Sequence, residues 1–282
     1  MSISPQSAPI PRVPAATTLT YLMLSVLLVS IPVCYFILGR VQFSVRDTNP
    51  LHPTINSASS TIALAAKSHA STLSGKVTFE GTPKKYRPID MSAEPNCAKF
   101  YPSPPMPEIS VTGPQNTLKN VVVFISEGAP DENLAGGSPI IRLNQRGCRY
   151  TPHIVSAQAG QEVWVQNDDS VTHSVHPLAH ANAEWNRSQP PGTPPIVIRY
   201  DNAEFVRVKC ELHSWMRGIL AVFKNSHHTV TDDTGGFTLP DLPPGKYTVT
   251  AWHEVYGTQS RKIVVPSEDN NDLNFVFKVT SY

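Results

Sequence analysis

The chain has 282 residues, enough for one or two domains with additional segments. Only 16% of its residues are charged, and 23 basic residues against 22 acidic ones leave a formal net charge of +1. Because nucleic-acid-binding proteins normally carry a strongly basic patch, this balance argues against a nucleic-acid partner. The 27 prolines and 15 glycines are spread along the chain, which is typical of many short strands joined by turns.

An uncharged apolar stretch lies near the start of the sequence, at residues 19–39. A helix that spans a bilayer needs roughly 20 apolar residues, whereas the apolar core of a signal peptide has roughly 7 to 15. The length therefore predicts an uncleaved, single-pass transmembrane helix. Residues 1–18 form a short tail rich in Pro, Ser and Ala, and residues 40–72 are expected to form a flexible linker.

Strand patterns begin after this linker. Residues 73–80, LSGKVTFE, alternate apolar and polar side chains and predict a first strand. Residues 82–115 are irregular and rich in proline, which indicates an extended loop held to the surface. Residues 118–126, LKNVVVFIS, are more continuously apolar and predict a second strand that is buried on both faces.

Two later stretches combine strand patterns with residue types that bind metals. Residues 159–175, AGQEVWVQNDDSVTHSV, predict a strand and a polar turn followed by His173. Residues 201–224 contain two strand patterns joined by the loop CELHSWM, which carries Cys210, His213 and Met216. These groups suit copper, and a blue-copper centre uses two histidines, one cysteine and a weak axial methionine.

These stretches resemble the cupredoxin family, the plastocyanin-like blue-copper proteins, over roughly residues 142–224. The resemblance implies an all-β fold, a Greek-key β-sandwich that holds one mononuclear type 1 copper. Only two residues separate the loop histidine from the methionine, where plastocyanin-like loops usually have four. This spacing is similar to that of the binuclear copper domain of cytochrome oxidase, but that site needs a second loop cysteine, which is absent here. Carried over by position, the implied ligands are His173, Cys210, His213 and Met216.

The end of the sequence carries a second resemblance. Its TVTDDTGGFTLPDLPPGKYTVTAWHE segment is similar to the carboxypeptidase regulatory-like family of prealbumin-type β-sandwiches. This segment supplies only about four strands, too few to bury a core, and the family's first two strands match residues 75–77 and 121–125. We therefore predict a split Ig/prealbumin-like sandwich, built from residues 73–138 and 226–282. A cupredoxin-like domain, residues 139–225, is inserted in it or lies adjacent to it.

The chain has four cysteines. Cys34 lies in the predicted anchor and Cys210 is an implied ligand, which leaves Cys97 and Cys148 either as a disulfide pair or as two unrelated buried thiols. Because disulfides persist in oxidising compartments, a pair would place the folded part outside the cytoplasm, in a bacterial periplasm or cell envelope. It would also join the split Ig/prealbumin-like sandwich to the inserted cupredoxin-like domain.

Other histidines are not counted as ligands. His176 lies three residues after His173, so in an extended strand it points to the opposite face of the sheet. His253 is assigned to the host sandwich without a role. Four further histidines are interpreted as surface residues: His153, His180, His227 and His228.

Together, the resemblances imply a membrane-anchored, extracytoplasmic protein that uses one copper ion for single-electron transfer with a redox partner, such as a cytochrome or a respiratory complex. An enzyme is not expected, because a copper oxidase or nitrite reductase needs a second, His-rich copper site and the sequence has no His-x-His pair. Two alternatives stay open. One is copper storage or delivery by the same residues, and the other is a carbohydrate-binding-like surface β-sandwich without a metal, marked by an exposed strip of Trp and Tyr.

Overall fold

The computed structural model describes residues 71–133, 137–265 and 273–278. The predicted tail and transmembrane helix, with the linker up to residue 70, lie outside the described residues. Within the ranges that are described, no helix is long and apolar enough to cross a membrane.

The regular structure of the described ranges is almost entirely β, as the two resemblances implied. They contain sixteen strands, one short α-helix, α1 (Pro95–Ala98), and one turn of 3-10 helix (Pro114–Asn116). The strands are, in chain order, β1 (Ser71–Glu80), β2 (Val122–Glu127), β3 (Ile141–Gln145), β4 (Tyr150–Thr151), β5 (Ile154–Gln158), β6 (Val163–Asn167), β7 (His173–Leu178), β8 (Arg187–Gln189), β9 (Ile196–Ile198), β10 (Glu204–Lys209), β11 (Arg217–Phe223), β12 (His228–Val230), β13 (Gly236–Leu242), β14 (Gly245–His253), β15 (Gly257–Val265) and β16 (Phe275–Lys278).

The strands form four sheets. Two sheets pair strands from the start of the described chain with strands from its end, in the orders β13-β1-β16 and β12-β2-β14-β15. The other two contain only strands β3 to β11, in the orders β5-β11-β10-β7-β8 and β4-β3-β6-β9. We call the first pair of sheets the host sandwich and the second pair the inserted sandwich.

The predicted second strand starts later than its sequence pattern indicates. The pattern covers residues 118–126, but β2 begins at Val122. Asn120 has a φ of 61°, a left-handed conformation that breaks an extended strand. Residue Leu118, just before it, instead forms a β-bridge with Thr112.

The alternation of side chains along β2 joins the two sandwiches. Val123 and Ile125 face the core of the host sandwich, which lies between its two sheets. Val122 and Phe124 face the other way, into an apolar cluster that also contains residues of β5, β10, β11 and β14. In this cluster the ring of Phe124 lies 4.8 Å from that of Phe223, centroid to centroid. The prediction that this strand is buried on both faces is confirmed.

The inserted sandwich has its own core between its two sheets. This core includes Leu143 of β3, Val165 of β6, Val208 of β10 and Leu220 of β11, each fully buried. The layers therefore follow one another as host sheet, host sheet, inserted sheet and inserted sheet, with an apolar core between each adjacent pair.

The proline-rich segment between β1 and β2 covers one end of the inserted sandwich. The segment was expected to be a loop held to the surface, but Ile89, Met91 and Cys97 are buried. They pack in one cluster with Cys148 of the inserted sandwich. We call this part, residues 89–101 with α1, the cap.

Candidate metal centre

Three implied ligands converge at the capped end of the inserted sandwich. His173 is the first residue of β7, and Cys210 directly follows the last residue of β10. Since β7 and β10 are antiparallel neighbours, with Lys209 opposite His176, the start of one lies beside the end of the other. His213 lies in the short loop between β10 and β11.

Backbone hydrogen bonds hold this loop in a compact turn. The Met216 N–H donates to the His213 carbonyl at 2.9 Å, and the Cys210 N–H donates to the Met216 carbonyl at 3.1 Å. The turn brings Cys210 and His213 close together, as the short spacing between them requires.

The donor atoms form a tight group. The Nδ1 atoms of His173 and His213 lie 3.0 Å apart, and the Cys210 Sγ lies 3.6 Å from the His213 Nδ1. One ligand atom from each of the three side chains lies within 4.8 Å of the others. Their exposed fractions are 0% for His173, 3% for Cys210 and 4% for His213, so bulk water is excluded from the group.

Asp169 orients the first of these histidines, a role that the sequence reasoning missed. Its Oδ2 lies 2.9 Å from the His173 Nε2. A carboxylate only accepts hydrogen bonds, so the His173 Nε2 carries a proton. Burial acts to lower the pKa of His173, but the hydrogen bond with Asp169 and the contact with Cys210 raise it. Metal binding at Nδ1 requires the neutral ring, so the metal displaces any proton held there. The polar turn before His173 was recognised, but nothing in its spacing shows where this carboxylate points.

The carboxylate of Asp169 is itself fixed by the turn between β3 and β4. It accepts the Gly147 N–H at 2.6 Å and the Cys148 N–H at 2.7 Å. Both residues have positive φ, 62° and 53°, which points their successive N–H groups to one side. Burial acts to raise the pKa of Asp169, but these bonds and the bond to His173 hold it below its ordinary value.

The Cys210 thiol lies in surroundings that favour its thiolate. The Ser174 N–H donates to its Sγ at 3.3 Å, and the Ser174 hydroxyl lies 3.7 Å from the same sulfur. Burial opposes ionisation, yet hydrogen bonding from His173 and Ser174 outweighs it and lowers the pKa of Cys210 to about 6. A thiolate at neutral pH is the form that binds soft metals.

Met216 immediately precedes β11 and is fully buried. It belongs to the same apolar cluster as Cys210. Its role as an axial ligand stays a prediction that is carried by the cupredoxin resemblance.

The cap closes the outer side of the centre. Cys97 and Cys148 form a disulfide, one of the two alternatives that the sequence left open for them. The Cys97 Sγ lies 3.6 Å from the His213 Nε2, the ring nitrogen that points away from Cys210. Trp215 donates from Nε1 to the Cys148 carbonyl at 3.1 Å, which ties the loop to the disulfide.

The other histidines lie outside this group. His176 bonds to Glu184 at 2.9 Å and to Glu211, on the opposite side of β7 from His173, as expected. The expectation of surface positions was wrong for His153 and His227, which are 6% and 5% exposed. His153 is buried because it sits between the two sandwiches, an interface that local sequence patterns do not reveal.

His153 forms a polar contact across that interface. Its Nε2 lies 2.5 Å from Glu254 Oε1, in the turn after β14 of the host sandwich. His253, the preceding residue, is fully buried and accepts the Val255 N–H at its Nδ1, at 3.1 Å. It therefore supports the turn between β14 and β15.

The donor set fits copper. Two buried imidazoles whose Nδ1 atoms face each other and a cysteine with a lowered pKa are borderline and soft ligands, the combination that blue-copper centres use. A carboxylate that fixes the tautomer of one histidine is a common partner of metal-bound imidazole.

Comparisons with known proteins return both families that the sequence resembles. Residues 220–278 match the carboxypeptidase regulatory-like domain family. No curated protein matches the chain. Similar solved structures include a purple cupredoxin from Nitrosopumilus maritimus, at 18% identity and a TM-score of 0.26, over 29% of this chain and 99% of that one.

Two further solved structures show the same level of similarity. A variant of amicyanin in its Cu(I) form has 18% identity and a TM-score of 0.27, over 36% of this chain and 98% of its own. A copper-containing nitrite reductase from Thermus scotoductus has 15% identity and a TM-score of 0.29, over 33% of this chain and 26% of its own. This chain therefore spans about a quarter of the reductase.

Proposed function

We propose that this chain is a cupredoxin-like protein that binds one copper ion and carries single electrons. The ion would be held by the Nδ1 atoms of His173 and His213 and by the Cys210 thiolate, with Met216 as a weak axial ligand. The observation that carries the proposal is the convergence of these three buried donors, with 3.0 Å between the two nitrogens and 3.6 Å between sulfur and nitrogen.

Bound copper would supply a one-electron redox couple. The protein's part is to keep the ligands in one arrangement while the charge changes. Asp169 fixes the ring of His173, and Ser174 donates to the Cys210 sulfur. The close-packed core of the inserted sandwich limits movement of the strands that carry these residues, and a small rearrangement means a small barrier to electron exchange.

We further propose an extracytoplasmic location, a single-pass membrane anchor at residues 19–39 and no enzymatic activity. The disulfide supports the location, because disulfides persist in oxidising compartments. The partner would be a redox protein such as a cytochrome or a respiratory complex.

The test is the absorption and EPR spectrum of the purified chain after addition of Cu(II). We expect one bound copper and an intense visible band for the wild type, and loss of the band for Cys210→Ser. The matched control is Ser214→Ala, an exposed position in the same loop, which should keep the band. A wild-type protein without stoichiometric copper and without a band would contradict the proposal.

Copper storage or delivery is the second candidate. It is favoured by the covered edge of His213, because a ligand ring under a disulfide offers no direct contact with a redox partner. In that case the protein would retain Cu(I) with high affinity, and the Cu(II) form would show no intense visible band. The carbohydrate-binding alternative has no such observation: Trp252 and Tyr247 of the host sandwich are buried.

A further inference from the structure

The cap disulfide lies against the outer edge of the proposed copper site. One ligand atom of Cys97, Cys148 and His213 lies within 4.8 Å of the others, and all three residues are buried. A second group of the same kind contains Cys148, Asp169 and His173. Both disulfide sulfurs therefore lie near the His213 ring, and the Cys148 sulfur also lies near the His173 ring.

This neighbourhood depends on the oxidation state of the two cysteines. Sulfurs joined in a disulfide are not thiolate ligands, and Cys97 then only contacts the Nε2 of His213, at 3.6 Å. After reduction, two thiolates and an imidazole nitrogen would face one another, a soft set that suits Cu(I). The Cα atoms of the cysteines are 5.6 Å apart, so both side chains reach the same point beside His213.

We propose that reduced Cys97 and Cys148, together with the Nε2 of His213, form a second Cu(I) site through which the metal enters the protein. This inference rests on the proposed function in one respect: the site at His173 and Cys210 is where the ion is expected to go. A neutral imidazole has one lone pair, so His213 binds one ion at a time, through either Nε2 or Nδ1. The second site is therefore a transit site.

The chemistry needs a reductant and an oxidant of the thiol–disulfide class. A dithiol gives two electrons and two protons to the Cys97–Cys148 disulfide and becomes a disulfide itself. Cu(I) then displaces the two thiol protons without a change in its oxidation state. When the ion moves to Cys210, the two thiolates take up two protons again. A disulfide-bearing oxidant accepts two electrons and two protons, and the Cys97–Cys148 disulfide forms again.

The binding test uses the full chain with Cys34→Ser and Cys210→Ser, so that Cys97 and Cys148 are the only cysteines left. Cu(I) is titrated against a chromophoric Cu(I) chelator, with the disulfide intact and after reduction by a dithiol, and free thiols are counted in each sample. We expect one tightly bound Cu(I) in the reduced form and none in the oxidised form. Further substitution of Cys97→Ser and Cys148→Ser should abolish this binding, and His213→Ala should weaken it at least tenfold.

Equal Cu(I) binding by the reduced and oxidised forms would overturn the inference, as would binding that survives without the cap cysteines. A second measurement avoids variants that fail to fold. The visible band of the wild type is followed during Cu(I) loading and subsequent oxidation of the metal. Loading should be at least tenfold faster when the cap is reduced first, and equal rates would count against an entry site. Absence of the band in both samples would contradict the proposed type 1 site, and the titration would still decide the cap site.

Discussion

Substitution of Asp169 by Asn is the sharpest test of how the protein prepares its metal ligands. The carboxylate accepts three hydrogen bonds, from the His173 Nε2–H and from the N–H groups of Gly147 and Cys148. Asn has nearly the same shape but only one acceptor oxygen. If that oxygen takes the place of Oδ2, the amide NH₂ faces the Gly147 N–H. If it takes the place of Oδ1, the NH₂ faces the other two donors.

Either orientation removes a charged acceptor from His173. A hydrogen bond to a charged group contributes about 1.5–3 kcal/mol, which corresponds to a change of about ten- to 150-fold in a binding constant. Loss of the partner of a metal-bound histidine typically weakens metal affinity by about 10- to 100-fold. We therefore expect copper affinity to fall by about 10- to 100-fold in Asp169→Asn.

The affinity is measured by competition with a chelator, on the wild type and on Asp169→Asn. The matched control is Asp168→Asn, which makes the same change at the exposed neighbouring residue. This control should bind copper as the wild type does. An affinity of Asp169→Asn within twofold of the wild type, in a protein with a normal unfolding transition, would refute the assigned role of Asp169.

Two further predictions concern the interface between the two sandwiches and the host sandwich itself. Burial favours neutral His153, but the hydrogen bond and charge of Glu254 raise its pKa above the ordinary value. Its stabilising effect is therefore complete below about pH 6.5 and is lost as pH rises through the folded-state pKa. Glu254→Gln should lower the free energy of unfolding by about 1–3 kcal/mol at about pH 5.5 and by less at about pH 9, and an equal loss at both pH values in urea titrations would contradict this. At Gly75, an added Cβ would lie 1.8 Å from the Leu273 carbonyl oxygen. Gly75→Ala should therefore destabilise the protein by about 1–3 kcal/mol. An unchanged urea midpoint would contradict this, because the backbone at Leu273 would then make room for a methyl group without loss of stability.

The sequence by itself determined several of the strands and the local part of the candidate site. Alternation of side chains predicted β1 and the two strands around the loop, because the period of a strand is a local property. Spacing places Cys210 and His213 on one tight loop, and the two family resemblances implied an all-β fold.

Only the tertiary structure decided what surrounds those residues. Asp169 reaches His173 because the turn at Gly147 and Cys148 fixes its carboxylate, and that turn belongs to a different strand pair. His153 was misjudged because its burial depends on the packing of one sandwich against the other. The position of the disulfide beside His213 likewise depends on how the cap folds over the end of the inserted sandwich. Such contacts join residues far apart in the chain, and their geometry comes from packing, which local patterns do not encode.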